Sequence, residues 1–282
     1  LSLHDALPIY PDQADVVLAR ARLWLEQGRY EAGVGLLRDR AERLFPLSAW
    51  AEPGPAHKQR HDAEQRLQRR KRHRSLRGLG QARALAALNI DNAIIELDGP
   101  ECPIMDGSSA PFVRILDRAG IKRQDAVRRF IEVLEPIEVV SGDKGARLLP
   151  CDRFEVAFEI AFDSAAIGRQ SVDLVLTEQS FREELANCRT FGFLAEVEAL
   201  RAVGLARGGS MENAVVIDGD RILNEEGLRR PNEFVRHKAL DAVGDLYVLG
   251  SPLLARFEGY LAGHALNNDL VLALLANPQA WR

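Results

Sequence analysis

From Phe154 to Phe162 every second residue is apolar: Phe154, Val156, Phe158, Ile160 and Phe162 alternate with Glu155, Ala157, Glu159 and Ala161. Side chains on a strand point to opposite faces with a period of two, so this run predicts a strand with one face in a core and the other in water. Such a strand needs neighbours along its edges and a covering layer. "RRFIEVLEPIEVV" and "RLLP", joined by the turn "SGDKG", and then "SVDLVL" supply further strands. "EQSFREELANC" and "FLAEVEALRAVG" read as helices. Upstream, "NAIIELDG" (92–99) is a strand ended by Asp-Gly, and "SAPFVRILDRAG" (109–120) a helix with Pro111 in its first turn and Gly120 at its end. "RFEGYLAG" is a strand, and "ALNNDLVLALLANP" a helix stopped by Asn277 and Pro278. That order predicts mixed sheets covered by helices, an α+β fold.

The 282 residues are 46% hydrophobic, enough for a sizeable core. A net charge of −4 offers no overall basic surface, so no nucleic-acid partner is expected. Cys102, Cys151 and Cys188 contain no CxxC pair, which fits neither a disulfide framework nor a thiolate zinc site and points to a reducing, cytoplasmic setting. No apolar run reaches the roughly 18 residues that span a bilayer, so no transmembrane segment is expected.

The beginning of the chain reads differently. It starts at Leu1, which suggests a fragment, and "LSLHDALPI" resembles a translated sequencing adapter. Residues 14–45 have a helical periodicity that predicts two helices about a turn at Gly28, similar to a single tetratricopeptide-type pair. Between His57 and Arg77 nine Lys/Arg stand against two acids, with no aromatic residue to stack on a base. This is read as a solvated linker or a mistranslated stretch, the other reading being an arm that binds nucleic acid electrostatically. Residues 1–83 are accordingly expected to be foreign to the rest.

Chemistry concentrates in "EFVRHKALDAVGDLYVL" (233–249), where His237, Asp241 and Asp245 fall four apart on one helical line. His237 and Asp241 can share one metal ion, zinc accepting both donor types, or can be a salt-bridged helix face. A catalytic zinc takes three protein ligands and a water, so two ligands do not complete a site. His264, in "AGHALNN", is either a structural histidine or, if it faces Asp245, an imidazolium able to donate a proton. A zinc-bound water and such an acid would make a hydrolase. In "CRTFGF", Thr190 could stabilise an oxyanion, or the segment is a loop carrying core residues Phe191 and Phe193.

"NIDNAIIELDGPECPIMDGSSAPFV", "CRTFGF", "GGSMENAVVI", "LNEEGLRRPNEFVRHKALDAVGDL" and "GHALNN" closely resemble, in order from about Ala84 to the C-terminus, the UDP-3-O-acyl-N-acetylglucosamine deacetylases of lipid A biosynthesis. The resemblance implies a zinc-dependent amidase that removes acetate from a UDP-linked, 3-O-acylated glucosamine. It implies two similar two-layer β-α-α-β domains packed helix layer to helix layer, with the site between them, and a monomer. His237 and Asp241 match two zinc ligands, Lys238 a substrate-contacting lysine, Thr190 the oxyanion-stabilising threonine, and His264 the general acid held by Asp245. Phe191 matches a residue lining the substrate cleft, and the segment from Phe193 to about Ile222 an insert forming a passage for the acyl chain. Residues 84–124 would then be a remnant of the first domain, and 125–282 the second.

One motif departs. The family's third ligand follows its general-base glutamate in an "EHL" upstream of the "IDN" strand start, and the matching places hold Leu79, Gly80 and Gln81. Loss of the base alone removes roughly 10² to 10⁴ in rate. The expectation is a deacetylase impaired in this copy, the alternative a non-catalytic interaction protein carrying a degenerate deacetylase domain. With much of its sheet missing, the helix at 109–119 is expected to expose apolar surface.

Overall fold

The computed structural model describes residues 17–26, 29–32, 79–96, 102–202 and 208–282. They fall into two compact units: residues 1–78, 90–103 and 114–128 form one, and residues 79–89, 104–113 and 129–282 the other. The basic stretch at 57–77 lies outside the described residues.

In the first unit, β1 (Val17–Glu26) is the hub. It pairs antiparallel with β2 (Arg29–Ala32), parallel with β3 (Asn92–Glu96) and antiparallel with β4 (Ile121–Arg123). Of the helix pair expected at 14–45, residues 17–26 and 29–32 are strands instead, and the rest lies outside the described residues. The sequence also allows that outcome, since Val17, Ala19, Ala21, Leu23 and Leu25 recur with a period of two. A short apolar run fits both periods until partner strands decide it.

In the second unit a six-stranded sheet runs β6-β7-β13-β8-β9, with β5 (Ile131–Glu132) on the end of β13 (Leu253–Tyr260). The other strands are β6 (Ile137–Ser141), β7 (Lys144–Pro150), β8 (Phe154–Ala161) and β9 (Arg169–Val175). β13 lies between β7, to which it is antiparallel, and β8, to which it is parallel. As the alternation predicts, Val156, Phe158 and Ile160 are buried on β8. The strand stops at Ala161, and Phe162 instead approaches the rings of Phe191 and Phe193, at centroid distances of 5.9 and 6.0 Å. Gly259 on β13 makes room for the Phe158 ring, which comes within 2.7 Å of where a Cβ would sit.

The inner face of this sheet is covered by α5 (Glu233–Leu246) and α6 (His264–Ala276), and α1 (Leu79–Ala87) packs on α5. α2 (Ala110–Ala119) ends at Gly120, whose positive φ of 77° closes the helix. Its residues Phe112, Val113 and Leu116 are buried, so the apolar surface expected to lie open there does not. The helix expected from Glu178 begins as α3 (Glu178–Ser180), capped by Thr177, and widens into a π-helical turn at Phe181–Leu185. A small second sheet joins β10 (Phe191–Phe193), β11 (Val215–Asp218) and β12 (Arg221–Ile222), with α4 (Leu194–Ala202) against it. Phe191 and Phe193 thus stand on a strand rather than in a loop. The whole is α+β, and no helix among the described residues is long and apolar enough to cross a membrane.

The outer face of the large sheet is tied by Arg256, which donates to Glu155, Asp173 and Glu258 from three nitrogens at 2.7–3.0 Å. Hydrogen bonds from Arg256 hold the Asp173 and Glu155 carboxyls below their ordinary range, and with help from Arg147 they outweigh the burial that would raise Glu258. A carboxylate whose folded pKa is depressed stabilises the fold above its unfolded value, about 4, and that stability is lost as pH falls through the folded value. Arg256→Met should therefore lower the urea midpoint at pH 7, and the gap from wild type should be smaller at about pH 3, where the carboxylates have begun to protonate in the unfolded chain. Urea titrations at the two pH values check this.

Candidate active site

Of the fourteen residues of α5, eleven are buried, among them Glu233, His237 and Asp241. A polar group shut away from water must find partners or cost several kcal/mol. Each of these does.

Glu233, fully buried, receives Arg189 by two routes: the backbone N–H at 2.8 Å and the guanidinium, with Nε to Oε1 at 2.9 Å and Nη2 to Oε2 at 3.1 Å. The backbone N–H of Arg229 donates to the same carboxylate at 2.7 Å. The remaining Arg189 donors reach Glu226 at 2.6 Å and the Gly227 carbonyl at 2.7 Å. One buried guanidinium thus fixes the start of α5 and the loop before it to the chain segment that leads into β10.

One turn along, His237 Nδ1 lies 3.1 Å from the carbonyl of Cys188 and donates to it. The proton sits on Nδ1, and bare Nε2 faces Asp241 Oδ1 at 3.4 Å. Burial pushes the imidazole pKa down to about 4, more than the Asp241 charge raises it, so the ring is neutral at pH 7. Phe191 stands edge-on to the same ring, centroids 6.3 Å apart, and to Phe234 at 4.9 Å. Thr190 is anchored by its backbone, its N–H donating to Gly107 and its carbonyl accepting from Val215.

Asp241 is surrounded by cations. Arg83 of α1 donates from Nη2 to Oδ1, Lys238 Nζ lies 3.4 Å from Oδ2, and His264 Nε2 lies 3.7 Å from Oδ2. Burial would raise this carboxyl, but the Arg83 charge above all, with Lys238 and His264, overrides it and holds the acid ionised well below the ordinary range. Asp245, next on the helical line, accepts from His264 Nδ1 at 2.9 Å and from the Asn267 amide at 2.9 Å. The Asp245 hydrogen bond raises the His264 pKa against a smaller opposing effect of burial. The half-exposed His264 is thus held by one carboxylate that favours its protonated form, with its other nitrogen turned to the buried centre.

His237, Lys238, Asp241, Asp245 and His264 therefore converge, and Phe191 flanks them, with Phe193 joined to Phe191 through the Phe162 ring. Arg83, Arg189 and Glu233 complete the set without belonging to any ligand motif. No local signal singles out Arg83 or Arg189, and Glu233 is a third acid on a helix that also carries Asp241 and Asp245.

A metal does not fit the centre as it stands. Among the described residues His237 and Asp241 offer ligand atoms, Gly80 has no side chain, and the Arg83 guanidinium lies on the carboxylate oxygen nearest His237. Among the described residues no group of three His, Cys, Asp or Glu could hold an ion.

A neutral buried imidazole, an ionised carboxylate and an aspartate-held histidine meet at this centre. Comparison with known proteins identifies the family. The sequence profile of LpxC, UDP-3-O-acyl N-acetylglycosamine deacetylase, matches residues 82–276. Proteins named UDP-3-O-acyl-N-acetylglucosamine deacetylase are similar over about 200 residues: 71% identical in Phenylobacterium zucineum, 54% in Acidithiobacillus ferrooxidans and 52% in Shewanella frigidimarina. The aligned part is 71%, 70% and 70% of this chain, and 68%, 66% and 65% of those relatives' lengths. The chain belongs to the UDP-3-O-acyl-N-acetylglucosamine deacetylase family.

Removing one partner of a buried pair strands the other charge, at about 3–5 kcal/mol. Arg189→Met should lose about that much stability, and adding Glu233→Gln should recover a large part of it. Urea unfolding of the single and double variants measures both.

Proposed function

We propose that this chain is a copy of a zinc-dependent deacetylase acting on UDP-3-O-acyl-N-acetylglucosamine in the cytoplasm, as a monomer, and that it is impaired in its present form. Family membership and the convergence of His237, Asp241, His264 and Asp245 support the reading. In the reaction, water adds to the acetamide carbonyl, the C–N bond breaks, acetate leaves and the glucosamine nitrogen takes up a proton. His264, held charged by Asp245, is suited to deliver that proton. Thr190 is assigned to the carbonyl oxygen as its charge develops, and Lys238 to the substrate. Phe191 and Phe193 line the cleft, and the segment from Phe193 to about Ile222 takes the acyl chain.

The impairment follows from Leu79 and Gly80, which stand where the family places its general base and its third zinc ligand. In domain terms, residues 1–83 would be foreign, 84–124 the remnant of a first β-α-α-β domain, and 125–282 the second, the two helix layers facing each other in the whole enzyme. The pairing of Arg83 with Asp241 also favours a second reading, in which the chain is a non-catalytic interaction protein built on the deacetylase fold.

Replacing residues 1–83 with the N-terminal part of the Phenylobacterium zucineum relative should restore acetate release from the UDP-sugar. In that background His264→Ala should lower kcat by roughly 10²- to 10⁴-fold. A chimera that folds and binds zinc yet never releases acetate would leave the second reading standing.

A further inference from the structure

We propose that Arg83 is the resident cation of this centre: its guanidinium holds the place beside Asp241 that a divalent ion would need, so the chain folds with the centre closed to metal. The inference rests on the family reading for the identity of the ion displaced and for the ligand expected at position 80.

Several independent features of the second unit carry it. Arg83 is 5% exposed and Asp241 4%, so each charge is out of water and each is the other's main compensation. Arg83 Nε is buried and has no hydrogen-bond partner, which leaves the pairing with Asp241 as the interaction that retains the side chain there. The stem reaches Asp241 across Gly244 of α5, where an added Cβ would lie 2.8 Å from Arg83 Cγ. With a larger residue at 244 the stem would have to shift.

The same helix closes the other ligand position. Gly80 lies one turn before Arg83, and a Cβ there would meet the Phe112 ring at 2.8 Å and the Ser108 carbonyl at 3.2 Å. Ser109 Oγ donates to the Gly80 carbonyl at 3.0 Å, holding that turn against the start of α2. An imidazole at position 80 would have to push Phe112 aside, and any ion at Asp241 would have to evict a guanidinium. Two glycines and one arginine therefore fit α1 to α5 in a packing that excludes metal from both sides.

The whole chain, expressed with zinc in the medium, should carry roughly a tenth of an equivalent of zinc or less, against one in an intact three-ligand site. Its melting temperature should not respond to zinc or to a chelator. Arg83→Met keeps the stem and removes the charge, and should lower the melting temperature by roughly 5–15 °C. Adding Asp241→Asn, which removes the stranded charge, should return much of that loss. Gly244→Ala should destabilise the wild type and do little in an Arg83→Ala background, where no stem crosses it. If Arg83→Met does not accumulate in folded form, recovery of folded protein on adding Asp241→Asn supports the proposal, and no recovery counts against it. One zinc per wild-type chain, an unchanged melting temperature in Arg83→Met, or losses at 83 and 241 that simply add would overturn it. None of these readouts depends on acetate release, so failure of the chimera and failure of this proposal are separate results.

Discussion

A helix buried on nearly every side cannot carry unpaired polar groups, and that constraint organises the second unit. α5 lies between the large sheet, α6 and α1, with eleven of its fourteen residues out of contact with water. Had its polar positions been apolar, packing alone would have sufficed. With Glu233, His237, Asp241 and Asp245 along it, each turn demands a complementary group from a different part of the chain: Arg189, the Cys188 carbonyl, Arg83 and His264. The stripe thereby specifies which segments meet as well as what chemistry they bring.

Three consecutive residues show how economically this is done. Cys188 gives its carbonyl to His237, Arg189 gives its backbone N–H and guanidinium to Glu233, and Thr190 is pinned by its backbone between Gly107 and Val215. The helix and the segment entering β10 are thus locked at points one turn apart. A shift of either would break a charge-assisted pair buried in low dielectric, so the His237 ring keeps its orientation and its tautomer. Phe191, the next residue in the chain, closes the apolar side of the same ring.

Much of this was legible in the sequence, for reasons that differ by element. β8 announced itself because Val156, Phe158 and Ile160 face the core with a strict period of two, and α5 because its polar residues repeat at four. Both signals are local, and both need one covering layer whatever the topology. The strands at 17–32 were misread as helices because a run with apolar residues at several spacings is settled by its partners, here β3 and β4, from more than 60 residues away. The Arg189 clamp and the Arg83 contact were invisible for a related reason. Nothing local distinguishes an arginine that will be buried against a carboxylate 44 or 158 positions distant from one that stays in solvent.

The Arg83 contact also follows from what a buried carboxylate requires. A buried carboxylate such as Asp241 cannot wait empty, because an ionised group in low dielectric costs far more than an ordinary side chain can offset. Once an ion is not held there, the nearest long cationic side chain that sterics admit is stabilised in its place, and Gly244 admits Arg83. The closed packing opposes the entry of an ion, since a metal would have to separate a buried ion pair and move Phe112 as well as form bonds to His237 and Asp241. Supplying an imidazole at position 80 alone would meet both obstacles. On the proposal above, the register of α1 against α5, more than the identity of any single ligand, separates a closed centre from an open one.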